Sequence, residues 1–228
     1  MSKNIAGVSV ALKTNIWLTP VLETFHNNIY KYIDTVGCKN DLPYFYNERT
    51  TVSLLAGAAW NSGFVCLQDY ATQKNDPSRK GPSKKFGYGD LYIRSINEKK
   101  EASFETKQIF PNINYTKTSV TDSKQFISGI NKAQIDATQI RDTKNKFSVL
   151  FVTPRFPKER WCDDYDNIMN KIDSIVDEGH QYANDSKTDI FTWCFPHTSS
   201  VNSFFSRAKN GKEFYCAGVM SFFQKIII

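Results

Sequence analysis

The sequence predicts an α/β fold, a central mixed β-sheet flanked by helices, and three observations carry that reading. An apolar-periodic stretch at 121–141 runs into FSVLFVTP at 147–154, a segment suited to a strand buried on both faces. Two strand-like runs, 86–96 and 101–110, flank Asn97-Glu98-Lys99-Lys100, a polar connection of hairpin length. Helical periodicity upstream of both sets helices and strands in alternation, the pattern of a sheet with a crossover.

Taken in order, the first helix spans 16–36, where Trp17, Val21, Leu22, Phe25, Ile29, Ile33 and Val36 recur at helical intervals. Thr19 before Pro20 marks its start and Gly37 its stop. A second helix spans 47–61: Asn47 caps, Glu48 suits the positive N-terminal end, and Val52, Leu55, Ala56 and Ala59 form one stripe. Residues 63–70 read as a short strand, and 72–85, rich in Lys, Pro, Gly and Ser, as a mobile basic surface loop.

On the strand at 86–96, Tyr88, Asp90, Tyr92 and Arg94 share one face and Leu91 and Ile93 the other. On the next, Ser103, Glu105 and Lys107 oppose Phe104 and Thr106. The helix at 121–141 presents Phe126, Ile127, Ile130, Ala133 and Ala137. Beyond 154 follow a helix near 163–179 and aromatic strands at 189–195 and 213–223, whose rings read as core. The tail Lys225-Ile226-Ile227-Ile228 is expected to pack on the body or on a partner, because exposed isoleucines would be adhesive.

With 228 residues, 40% of them apolar, the chain is expected to form a single domain with an ample core. It lacks a secretory leader pattern and any apolar run of about 18 residues, so a cytoplasmic protein without a membrane partner is expected. Cys38, Cys66, Cys162, Cys194 and Cys216 form no zinc-like spacing and read as buried thiols. His26, His180 and His197 stand in no catalytic or metal pattern and read as structural or surface residues. The formal net charge of +6 suits a polyanionic partner without requiring one.

The chemistry concentrates in Gly-Tyr-Gly-Asp at 87–90 and Glu-Thr-Lys at 105–107. Phosphodiester hydrolysis needs hard oxygen ligands for a divalent cation, an activated water and positive charge for the developing phosphorane. Asp90 and Glu105 supply carboxylates, the Thr106 carbonyl a main-chain ligand, and Lys107, on the Glu105 face, an ammonium. Lys74, Arg79, Lys80, Lys84 and Lys85 would contribute salt-sensitive contacts to a nucleic-acid backbone.

In these residues, and in the order helix, strand, Asp90 strand, Glu105-Thr106-Lys107 strand, helix, strand over 44–153, the chain resembles the PD-(D/E)xK nuclease superfamily. The resemblance implies a restriction-endonuclease-like core at 44–153 with residues 154–228 as an α+β extension of the same unit. It implies Mg²⁺, with Mn²⁺ able to substitute, held by Asp90, Glu105, the Thr106 carbonyl and Glu48, and a water-assisting role for Lys107. Gln108 follows the lysine as in a number of members, and Gly89 stands where the motif name has Pro. The expected activity is cleavage of DNA rather than RNA, by a protein that a homodimer would suit. A catalytically inactive nucleic-acid-binding or protein-interaction module on the same scaffold stays open as the alternative.

Overall fold

The computed structural model describes residues 5–11, 13–36, 42–75, 84–114, 119–161, 165–196, 205–207 and 211–227. The chain enters through β1 (Ile5–Val10), a 3-10 turn at Lys13–Leu18, α1 (Thr19–Val36) and α2 (Glu48–Asn61). Asn47 caps α2 by accepting the Thr50 N–H at 3.0 Å, and Glu48 sits in the first turn. Next comes an antiparallel meander of β2 (Phe64–Asn75), β3 (Lys84–Ser95) and β4 (Glu101–Ile109). The helix α3 (Lys124–Gln139) crosses over, and β5 (Lys146–Val152) returns parallel to β4.

The remainder is β6 (Phe156–Pro157), α4 (Lys158–Trp161), α5 (Tyr165–Asp185), β7 (Ile190–Phe195), β8 (Phe205–Arg207), β9 (Glu213–Tyr215) and β10 (Val219–Lys225). β7 and β10 join the main sheet, giving a seven-stranded mixed sheet in the order β1-β7-β10-β5-β4-β3-β2, while β6, β9 and β8 make a small separate sheet. The architecture is thus α/β, a central mixed sheet flanked by helices.

Every residue of β5 is buried because alternate side chains enter different cores. Phe147, Val149 and Phe151 pack with Leu91, Ile93 and Phe104 under α1 and α2. Leu150 and Val152 pack with Phe126, Ile172, Phe191 and Phe222 under α3 and α5. Each buried phenylalanine contributes on the order of 1.5–3 kcal/mol, so these two layers hold the sheet. His26 is buried beside Thr192, its Nε2 2.5 Å from the hydroxyl, and burial pushes its pKa down to about 4, a neutral structural histidine. Cys66, Cys194 and Cys216 are free and buried, while Cys38, Cys162 and His197 lie outside the described residues.

Several local expectations need correction. Residues 72–75 and 84–85 are strand rather than loop, because the β2–β3 ladder continues to Asn75↔Lys84; a polar arm at a sheet edge needs no apolar face. Residues 76–83 lie outside the described residues. The run at 213–223 is two strands, and at Gly218 between them a Cβ would stand 2.2 Å from the Cys194 carbonyl oxygen. Ile127 is exposed on the outer side of α3. The tail is fastened to the body through the Ile226 N–H, which bonds the Lys146 carbonyl, and Ile227 is 90% exposed.

A kink in the β2–β3 hairpin prepares the site. Asp69 has φ 44°, a left-handed conformation that Asp adopts more readily than most residues, and the ladder skips from Gln68↔Leu91 to Tyr70↔Gly89. Side-chain alternation resets there. Leu91 and Ile93 face α2, whereas Gly89 and Gly87 lie under Tyr70 and Lys74, whose side chains reach Ser103 and Glu105 on the opposite face. Tyr88 therefore does not share a face with Tyr92, as strict alternation predicted.

Gly89 has a steric reason. A Cβ there would come within 2.5 Å of the Tyr70 ring, which is tethered through its hydroxyl to Ser103 Oγ at 2.7 Å. Neither proline nor alanine fits before Asp90. Gly89→Ala is expected to cost about 1–3 kcal/mol of stability, read as a lower urea midpoint; an unchanged midpoint would show that Tyr70 is free to move.

Candidate active site

β3 and β4 pair from Arg94↔Glu101 to Leu91↔Phe104 and then part. The next rung would set Asp90 opposite Glu105, so the residues of the motif stand where the strands diverge. In an extended strand the N–H and C=O of one residue point to the same side. Thr106, paired with β5 through its neighbours, turns both toward the opening left by β3, and both need partners.

Side chains of the motif provide them. Asp90 Oδ2 accepts the Thr106 N–H at 2.7 Å and the Thr106 hydroxyl at 3.1 Å. The Thr106 carbonyl accepts from Lys107 Nζ at 2.7 Å, and the same ammonium lies 2.9 Å from Asp136 Oδ2 on α3. Burial works to lower the Lys107 pKa, but Asp136, Glu48 and Asp90 outweigh it and raise it. Lys107 is therefore a held cation, suited to orienting a water or offsetting charge and unsuited to acting as a base.

Glu105 is 3% exposed, and its Oε1 lies 2.7 Å from Lys74 Nζ, at an angle that makes no regular hydrogen bond. Burial, together with the Asp90 charge and against Lys74 and Lys107, pushes its pKa up to about 7. Glu48 approaches from α2 beside the Thr106 hydroxyl and the Gln108 backbone N–H, with Lys107 and Asp90 within electrostatic range; burial raises its pKa too.

A cleft of about 320 Å³ opens beside these groups, lined by Glu48, Arg49, Gln68, Asp69, Asp90 and Thr106 among others. Glu105 is not in its lining. The structure thus brings Asp90, Glu48 and Thr106 together on the cleft, and places Glu105 and Lys107 just behind, toward α3. Gln108 faces away from Lys107 and is fully engaged: it accepts from the Thr51 hydroxyl at 3.0 Å and donates to the Tyr44 carbonyl at 2.6 Å.

Of the loop cations, Lys74 is spent on Glu105 and Lys85 is exposed on β3. For Lys84 only the backbone is described, and Arg79 and Lys80 lie outside the described residues. Three residues went unpredicted: Asp69 and Arg49 on the cleft, and Asp136 on Lys107. A polar Asp inside a strand was a readable sign of the kink. Nothing local marks Asp136 or Arg49, because their roles arise from packing.

Among the described residues no three carboxylate, imidazole or thiol side chains form a ready cage for a metal ion. A magnesium site does not need one, since the ion keeps several waters and takes one or two carboxylates. The donor set fits that pattern: Glu105 Oε1 is buried without a regular hydrogen bond, Asp90 keeps Oδ1 for another partner, and the Thr106 carbonyl is turned to the gap. Two of these oxygens now bear ammonium groups, so the site already concentrates positive charge.

No protein-family model matches this chain, no curated protein is similar to it in sequence, and no solved structure matches its fold. No described helix is long and apolar enough to cross a membrane.

The raised Glu105 pKa has a testable sign. Between the unfolded carboxylate value of 4.5 and about 7 the folded state binds more protons than the unfolded one. Stability is therefore favoured below that window and lost as pH rises through it. In metal-free buffer, the stability of Glu105→Gln relative to wild type is expected to rise from pH 4.5 to pH 7.5 by on the order of 3 kcal/mol. Parallel urea curves whose difference does not change with pH would contradict it.

Proposed function

We propose that the chain is a divalent-metal-dependent nuclease of the PD-(D/E)xK kind, hydrolysing phosphodiester bonds in DNA. The observation that carries this reading is Thr106: its N–H and C=O, left open by the parting of β3 and β4, are held by Asp90 and Lys107, with Glu105 on the adjoining position. The element order supports it, because α2, β2, β3, β4, α3 and β5, with β4 and β5 parallel, follow the expected sequence of a restriction-endonuclease-like core.

Asp90, Glu105 and the Thr106 carbonyl would hold Mg²⁺ or Mn²⁺, with Glu48 as a further oxygen on the α2 side. The ion supplies Lewis-acid stabilisation of the phosphate and makes a nearby water nucleophilic at neutral pH. Asp136 keeps Lys107 protonated and aimed at the gap, where its charge stabilises the pentavalent phosphorus as negative charge grows. Arg49, on the rim of the cleft, is placed to take a non-bridging phosphate oxygen. Lys74, paired with Glu105, would be released if Glu105 held a divalent ion and would then be free to offer its charge to the substrate backbone.

The test is cleavage of supercoiled, linear, branched and single-stranded DNA, and of RNA, with Mg²⁺, Mn²⁺ or EDTA. Wild type is expected to cut at least one DNA substrate with Mg²⁺ and none in EDTA. Asp90→Asn, Glu105→Gln and Lys107→Met should each slow cleavage at least about a hundredfold while retaining the fold by circular dichroism. Full activity in a folded Asp90→Asn/Glu105→Gln variant, or no cleavage of any substrate by wild type, defeats the proposal.

A further inference from the structure

Beyond the kink at Asp69 and Asp90, the hairpin arm formed by 70–75 and 84–89 has two unlike faces. Its inner face is fastened down. Tyr70 bonds Ser103, Thr72 and the Gln73 N–H bond Asp142, Lys74 bridges to Ile140 and pairs with Glu105, and Arg141 N–H bonds the Gln73 carbonyl. The arm is therefore anchored at several points.

The outer face is built around two rings. Phe86 and Tyr88 are 86% and 69% exposed, against cross-strand neighbours Gln73 and Ala71. Burying such rings is favourable, and two of them side by side on an anchored strand offer a surface for a flat ligand. Positions i and i+2 on a strand stand about 6.6–6.8 Å apart. That is twice the roughly 3.4 Å spacing of stacked bases, which leaves room for one flat base between the rings. Tyr88 lies two residues from Asp90, beside a cleft with Arg49 on its rim, while exposed Lys85 pairs with Lys74 on the opposite face of the hairpin.

Resting on the nuclease reading, we infer that Phe86 and Tyr88 grip an unpaired nucleobase next to the scissile phosphate, so that the substrate carries a single-stranded segment at the cut. Stacking supplies affinity without sequence preference, and Arg49 on the cleft rim takes the backbone beside it. A fully paired duplex offers no free base face at this point and engages the rings poorly.

The test measures binding of the full-length protein, in EDTA so that no cleavage intervenes, to fluorescein-labelled single-stranded DNA, single-stranded RNA, a duplex with a single-stranded flap and a blunt duplex. Wild type is expected to prefer single-stranded and flapped ligands over blunt duplex at least tenfold. Phe86→Ala/Tyr88→Ala should lower affinity for those ligands at least tenfold and erase the preference. Phe86→Trp should retain it, with tryptophan emission quenched by the bound strand. Trp60→Ala, an exposed ring at the far end of α2, should behave as wild type.

An unchanged preference in the double variant, or equal wild-type binding to blunt and flapped duplex, overturns the inference. So does a double variant that loses self-association in sedimentation while keeping its nucleic-acid affinity, which would assign the rings to a second copy of the chain. If the rings govern binding but no metal supports cleavage, base gripping stands and the nuclease reading falls. If cleavage proceeds and the rings are irrelevant, the reverse holds.

Discussion

The parting of β3 from β4 after Leu91↔Phe104 is the constraint around which the rest is arranged. Once β3 leaves, the Thr106 amide and carbonyl lose their ladder partners inside a folded protein, and leaving them bare would cost on the order of 1–3 kcal/mol each. Asp90 and Lys107 meet that need. The polar groups that hold the strand end together are thus the same ones that the proposed function draws on. The kink at Asp69, the glycines at 87 and 89 and the fastening of the arm to 140–142 all serve to steer β3 away.

Much of this was legible in the sequence because it is local. The cap at Asn47, the period of the helices, the short polar connection after β3 and the two-face alternation of β4 depend on near neighbours; the connection is one residue longer than predicted because β3 ends at Ser95, and the rest stands where the residues predicted it. What was misread depends on distant contacts. The basic stretch after Ala71 has the composition of a loop, yet its first residues pair with 84–89 and dock on the end of α3. Lys74 was read as one of a set of cations for a nucleic-acid backbone, and in the fold it lies against Glu105. Strict alternation through Asp90 failed because one left-handed residue on the neighbouring strand resets it.

The candidate site carries its own counter-ions. Glu105 has Lys74 and the Thr106 carbonyl has Lys107, which Asp136 in turn restrains. A buried carboxylate without compensation would be expelled or protonated, so these ammonium groups let the fold tolerate Glu105 in its interior. If the proposed divalent ion binds, it would have to compete with tethered lysines for its oxygens.

The sheet order also bears on how the protein comes into being. β10, the last strand in chain order, lies between β7 and β5 and pairs with both. A ribosome delivers the α2-to-β5 segment long before it delivers 219–225, so during synthesis β5 presents an unpaired edge and the β1–β7 pair has nothing to join. Closure of the sheet waits for residues 219–225. A nascent chain that stops short of them would hold the Asp90–Glu105 constellation on an open, unsupported sheet, which ties its maturation to the synthesis of β10.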